Sequence, residues 1–230
     1  MRLIILITFS CSLLLACQHS PQKNFYYLTA QLNSEQSSPK TLEKSTAPTS
    51  SSQVNQLIGI GPIDIADYLN RSQIIENQAN NRLNMADNAF WAEPLDKSIA
   101  RVTALNLTQV NSARSIVYFP WRSDSKPRYS IRVRIDELSR TANQANLIAT
   151  WELIDNDSKS NLQRKNFLRS TPVDSGATGL AQAFSKLLAD LATDMDSELT
   201  KLHWKKIKAE QKNPQKSKIL RAFFNKNYLW

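Results

Sequence analysis

Between residues 129 and 136 apolar and polar side chains alternate without a break: Tyr129, Ile131, Val133 and Ile135 against Ser130, Arg132, Arg134 and Asp136. Successive residues of a strand face opposite sides of a sheet, so this pattern places one face in a core and the other in water. Leu147, Ala149, Trp151 and Leu153 repeat the period after a polar turn at Thr141 to Asn146. The two runs predict an antiparallel hairpin whose apolar face needs a cover. From Gly179 onward, Leu180, Phe184, Leu187, Leu188, Leu191 and Met195 keep helical spacing, with Leu199 and Leu202 in position to extend the stripe, and supply one. A second helix is expected near Pro94, where Leu95, Ile99 and Val102 follow the four-then-three spacing of one helical face.

Shorter strands are expected at Phe25 to Thr29, Leu57 to Ile63, around Ile74 and Ile75, at Arg82 to Met85 and at Ile116 to Phe119. Asn33 to Gln53 is rich in serine, threonine and proline and reads as a flexible loop, longer than the roughly 12 to 15 residues usual inside a compact domain. Pro214 is expected to end or kink any continuation of the last helix. The fold class is therefore α/β or α+β: a mixed sheet with an antiparallel hairpin, covered by two or three helices, one of them a C-terminal amphipathic helix. No repeat of solenoid period is present.

Upstream of this domain the chain opens with Arg2 and an apolar run from Leu3 to Leu15 interrupted only by Thr8, Ser10, Cys11 and Ser12. The run is shorter than the roughly 18 to 20 apolar residues of a membrane span and ends on a small residue, so it reads as an export signal. The sequence Leu14-Leu15-Ala16-Cys17-Gln18 is similar to the lipobox of bacterial lipoproteins, with cleavage between Ala16 and Cys17. That resemblance implies a diacylglyceryl group on the Cys17 thiol and a further acyl chain such as palmitate on the new amino terminus. One chain binds a bilayer only marginally, at about 0.8 kcal/mol per buried methylene, whereas two or more hold it. A plain secretory signal with a chance cysteine is the competing reading. Gln18 stands where aspartate favours inner-membrane retention in enterobacterial lipoproteins, so the resemblance implies the outer membrane. The organisation becomes residues 1–16 signal, 17–24 tether, 25–200 domain and 201–230 tail.

On the lipobox resemblance Cys11 leaves with the signal and Cys17 would be acylated, so no thiol would remain for a disulfide, a metal site or a nucleophile. His19 and His203 both lie outside the expected core, and no G-x-S-x-G turn presents a serine. Asp155-Asn156-Asp157 lacks the glycine and distant glutamate of a calcium loop and reads as a turn. Gly59-Ile60-Gly61-Pro62 lacks the third glycine and lysine of a phosphate cradle, and its proline removes an amide donor. Asp136 and Glu137, adjacent on a strand, are expected on opposite faces. Neither an enzyme nor a cofactor is called for.

The net charge of +9 is unevenly placed. Residues 17–200 carry 19 bases and 19 acids, while residues 201–230 carry nine bases against Glu210, a balance of +8. Three readings of this tail stay open. It is a solvated end. Or it contacts an anionic lipid surface through Lys205, Lys206, Lys208 and Arg221 with Trp204, Phe223, Phe224 and Trp230. Or it binds nucleic acid, which the export signal argues against.

The stretch Gly61-Pro62-Ile63-Asp64-Ile65-Ala66-Asp67-Tyr68-Leu69-Asn70-Arg71-Ser72-Gln73-Ile74-Ile75 resembles the opening motif of the ABC-type transport auxiliary lipoproteins, the PqiC-like family. Phe90-Trp91-Ala92-Glu93-Pro94-Leu95 resembles that family's tryptophan-glutamate-proline-leucine signature. Ala66 and Ser72 depart from it, standing where proline is frequent. The resemblance, covering roughly residues 25–199, implies a non-enzymatic, outer-membrane-anchored partner of an envelope lipid transport system containing an MCE-type (mammalian cell entry) periplasmic protein. It also implies a homo-oligomeric ring. Tyr68, Leu69, Asn70, Arg71 and Trp91 are the partner-binding candidates, each with a competing role inside the domain. The rival functions are an envelope lipoprotein that binds peptidoglycan or assists outer-membrane assembly, and a lipid-anchored hydrolase using carboxylates from separate elements.

Overall fold

The computed structural model describes residues 22–31, 56–79 and 82–211. The expected export signal with its Ala16–Cys17 cleavage point, and the expected loop at Asn33 to Gln53, lie outside these residues. Strands β1 (Asn24–Tyr26), β3 (Gln73–Ala79) and β4 (Arg82–Trp91) form a small sheet in the order β1-β4-β3. Strands β2 (Gln56–Ile65), β5 (Arg114–Tyr118), β6 (Tyr129–Thr141), β7 (Gln144–Asp155) and β8 (Ser160–Pro172) form a larger one in the order β5-β2-β6-β7-β8. Helices α1 (Leu95–Val110) and α2 (Gly176–Gln211) pack on each other and on the larger sheet. The class is mixed α+β.

The predicted hairpin is β6–β7, antiparallel from Tyr129 opposite Asp155 to Thr141 opposite Gln144. Ile131, Val133, Ile135, Leu147, Ala149, Trp151 and Leu153 are all buried. A β-bulge interrupts the alternation between Ile135 and Glu137, so the inward phase passes to Leu138. Asp136 is exposed and accepts a hydrogen bond from Arg134 Nε at 2.8 Å, while Glu137 accepts one from Ser139 Oγ. Simple alternation across this adjacent pair does not apply.

Strand β8 was not expected from the sequence. Its 13 residues are mostly polar and exposed, with Phe167 and Thr171 buried, because among the described residues it is an outer strand paired only with β7. Lys165 Nζ ties it to α2 by donating to Asp194 at 2.7 Å and Glu198 at 3.4 Å, and Trp151 Nε1 donates to the same Asp194 at 3.0 Å. The α2 stripe lies where the spacing put it: Leu180, Phe184, Leu187, Leu188, Leu191, Met195 and Leu199 are buried. The helix begins at Gly176 rather than Gly179 and crosses Thr200–Lys201 without a break, so the basic segment starts as the end of α2.

Strand β1 pairs in parallel with β4 and is shorter than the aromatic run suggested. Beyond Tyr26 the chain bonds to helices instead of strands: Thr29 N donates to Ser185 Oγ and Gln31 N to Asn106 Oδ1, both at 3.0 Å. Strands β5, β2 and β6 are mutually parallel, and residues 119–128 carry the chain from β5 over β2 to β6. Gly59 makes that crossing possible. A Cβ there would lie 2.7 Å from Pro127 Cγ and 2.8 Å from Trp121 Cζ3. Buried Asn156 pins the crossing segment, accepting from Ser130 Oγ at 3.1 Å and donating from Nδ2 to the Pro127 carbonyl at 2.8 Å. The Asp155–Asp157 segment is the expected turn, with Asp155 Oδ1 accepting from the backbone amides of Asp157 and Ser158.

Candidate functional site

Strand β5 covers β2 only as far as Ile60, which stands opposite Tyr118. Past that point β2 bulges at Gly61–Pro62 and continues with β6 alone, leaving its other edge without a strand among the described residues. Gly61 takes φ +114°, a region open to glycine and strained for other residues, and a Cβ on it would lie 2.8 Å from Phe119 Cβ. The first half of α1 lies alongside. These pieces enclose a cleft of about 490 Å³ whose apolar wall is Ile60, Pro62, Ile63, Ala100, Tyr118 and Phe119. Glu93, Asp96, Lys97 and Arg101 form its charged rim.

The start of the first motif and the end of the second therefore border the same space. Pro94 precedes α1, and its carbonyl accepts from the amides of Lys97 and Ser98, both at 3.0 Å. Leu95, Ile99 and Val102 face the core, which turns Asp96, Lys97, Ala100 and Arg101 toward the cleft. Arg101 donates from Nε to Glu93 at 3.1 Å, pairs with it again through Nη2, and reaches the Leu28 carbonyl at 3.1 Å. The hydrogen bond from Arg101 holds the Glu93 carboxyl below its usual range. A carboxylate so paired is a poor proton donor near neutral pH. Chemically the cleft offers an apolar seat with paired charges around it, suited to holding a side chain or a chain segment.

The partner-binding candidates divide by burial. Trp91 is only 8 % exposed and packs its ring 6.4 Å from that of Phe184, and Leu69 is 5 % exposed. Both stand in the core. Tyr68 is half-buried, and burial, with Glu137 as the next contributor, pushes its hydroxyl pKa up. Asn70 and Arg71 are exposed, Arg71 donating from Nε to the Tyr68 carbonyl at 3.0 Å. Trp204 is exposed on α2, and Lys205, Lys206 and Lys208 continue the backbone of that helix. Arg221, Phe223, Phe224 and Trp230 lie outside the described residues.

Lys97, Arg101, Tyr118 and Phe119 line the cleft without having been singled out in the sequence. Their only local signal is the pair of aromatics just before Pro120. Among the described residues, no group of three or more His, Cys, Asp or Glu could hold a metal ion, and no helix is long and apolar enough to cross a membrane.

A crystal structure of an uncharacterized protein is similar with TM-score 0.60 and 15 % identity, over 78 % of this chain and 99 % of that one. Protein XCC0632 from Xanthomonas campestris is similar with TM-score 0.55 and 14 % identity, over 83 % of this chain and 99 % of its own. At such identities the likeness is one of fold. No curated protein matches the chain. The family model of the ABC-type transport auxiliary lipoprotein component matches residues 41–196, which take in both motifs, the cleft and most of the core. The chain belongs to that family.

Proposed function

We propose that this protein is an outer-membrane lipoprotein that serves, without catalysing a reaction, as the auxiliary component of an ABC/MCE-type intermembrane lipid transport system. The observation that carries the reading is the convergence of both family motifs on one cleft, together with the family match across the domain. Acylated Cys17 holds the domain on the periplasmic face of the outer membrane. The Tyr68–Arg71 turn, with Asn70 and Arg71 exposed, offers polar contacts to an MCE-type partner, while Leu69 and Trp91 hold that turn and the second motif in place from inside. Copies of the chain form a ring. The basic end of α2, with the residues after it, adds an electrostatic contact to anionic head groups, on the order of 1 kcal/mol per lysine near the surface.

Crosslinking in intact cells followed by purification of the full-length lipoprotein tests the reading. Recovery of an MCE-type protein is the expected result. Recovery of peptidoglycan fragments without one would transfer the protein to the peptidoglycan-binding rival.

A further inference from the structure

At the start of the described chain, alternation turns Tyr26 and Leu28 inward and leaves Phe25 and Tyr27 outward. Phe25 is 63 % exposed and Tyr27 61 %, although both belong to a segment pinned to the two helices. Phe25 stands opposite Phe90 in the small sheet with ring centroids 6.0 Å apart, and Lys23 Nζ lies 5.4 Å from the centre of the Phe90 ring. Isolated surface apolar residues need no explanation, but the Phe25–Phe90 pair, fringed by Lys23 and followed two residues on from Phe25 by the exposed Tyr27, forms a patch.

The length of chain preceding the patch says what covers it. Eight residue steps separate Cys17 from Phe25. Drawn out fully, they reach about 28 Å. A domain of this size is about 40 Å across, so its far side cannot turn toward the membrane while β1 points away. The tether therefore keeps the β1 edge within about 28 Å of the bilayer face, where the Tyr27 ring, apolar at one end and polar at the other, is favoured, Phe25 can bury apolar area and lysine stems reach up to phosphates.

We propose that Phe25 and Tyr27, with Lys23 and Phe90 beside them, form a membrane-interface contact that sets the orientation of the domain on the lipid surface. The inference rests on acylation of Cys17. The acyl chains hold the protein and the aromatic patch aims it, so that the face bearing β1 lies against the head groups.

The acylated chain has no other cysteine, so single thiols can be placed at will. Full-length lipidated Phe25→Cys, Tyr27→Cys and Leu168→Cys variants would carry an NBD fluorophore, in vesicles of phosphatidylethanolamine and phosphatidylglycerol at 4:1. Leu168, 67 % exposed on β8, serves as the aqueous reference. Matching thermal midpoints would show that all three fold alike. Lipids with a doxyl group near the head should quench the labels at 25 and 27 at least threefold more than the label at 168. Equal quenching at the three sites overturns the proposal. So does shielding of 25 and 27 from aqueous iodide without quenching by doxyl lipid, which would mean that a second copy or another protein covers the patch. Intact mass separates the two readings: an unmodified Cys17 ends both the anchor and the patch, whereas an acylated protein with water-exposed labels ends the patch alone.

Discussion

Arg101 closes on Glu93 from two turns inside α1, donating from Nε at 3.1 Å and pairing with the same carboxylate oxygen through Nη2. Its reach to the Leu28 carbonyl makes the pair a clasp between the N-terminal segment and the second motif at the rim of the cleft. The Glu93 carboxyl is held low by this hydrogen bond, so the folded protein binds the charged form more tightly than the unfolded chain does. Its contribution is complete above the unfolded value of about 4.3 and disappears as pH falls through the lower folded value. Both side chains are about one-third exposed, which keeps the contribution small, about 0.5–1 kcal/mol. Glu93→Gln should lose that amount at pH 7 and show a shallower loss of stability below pH 4.5, as read by urea denaturation across pH.

Arg114 and Asp196 form a buried ion pair between β5 and α2, with Arg114 Nη2 also donating to Thr200 Oγ1 at 3.0 Å. Removing one partner leaves a charge in the core. Arg114→Met should destabilise by about 3–5 kcal/mol, and the double variant Arg114→Met/Asp196→Leu should recover most of it. Chemical denaturation of the three variants checks both values, and an equally destabilised double variant would show that the charges themselves are not what the single change disturbs.

Gly59→Ala should destabilise by about 1–3 kcal/mol, because the added methyl meets Pro127 and Trp121 of the segment crossing β2. A thermal melt unchanged from that of the natural protein would mean that this segment moves aside freely.

Trp91→Ala should cost about 3–5 kcal/mol, since the ring fills the core against Phe184. Arg71→Ala, on the exposed turn, should change stability by no more than about 0.5 kcal/mol. A loss of partner recovery with Arg71→Ala at unaltered thermal midpoint would locate the docking surface on that turn, whereas loss with Trp91→Ala alone would trace to unfolding.

Cys17→Ser should move the protein from the membrane fraction to the soluble periplasm, because acyl chains contribute far more than the basic segment does. Fractionation at high salt checks it. A variant that stays with membranes under those conditions would assign the principal tether elsewhere.

Periodicity in the sequence was enough to place β6, β7 and both helices, since each has one face in the core and hydrophobic burial imposes the period of the element on the residues that make it. The same reasoning could not see β8, whose side chains lie mostly in water and whose place is held by backbone pairing with β7 and by Lys165 reaching α2. Nor could it see the bulge at Ile135–Glu137, because an inserted residue shifts phase without changing composition.

The zero charge balance of the domain, the basic end and the two family motifs were all legible before any fold was known. What only the tertiary structure decided is which motif residues face outward. Trp91 and Leu69 were open to a role as partner anchors, with a place inside the domain the favoured reading, and the packing of Trp91 against Phe184 of α2 put it inside. The cleft belongs to no single stretch of chain. It exists because β5 stops at Tyr118 while β2 continues, and because α1 brings Arg101 and Ala100 back beside Pro62. Local sequence sets the period of each element, but a cavity is set by where elements of unequal length end against one another.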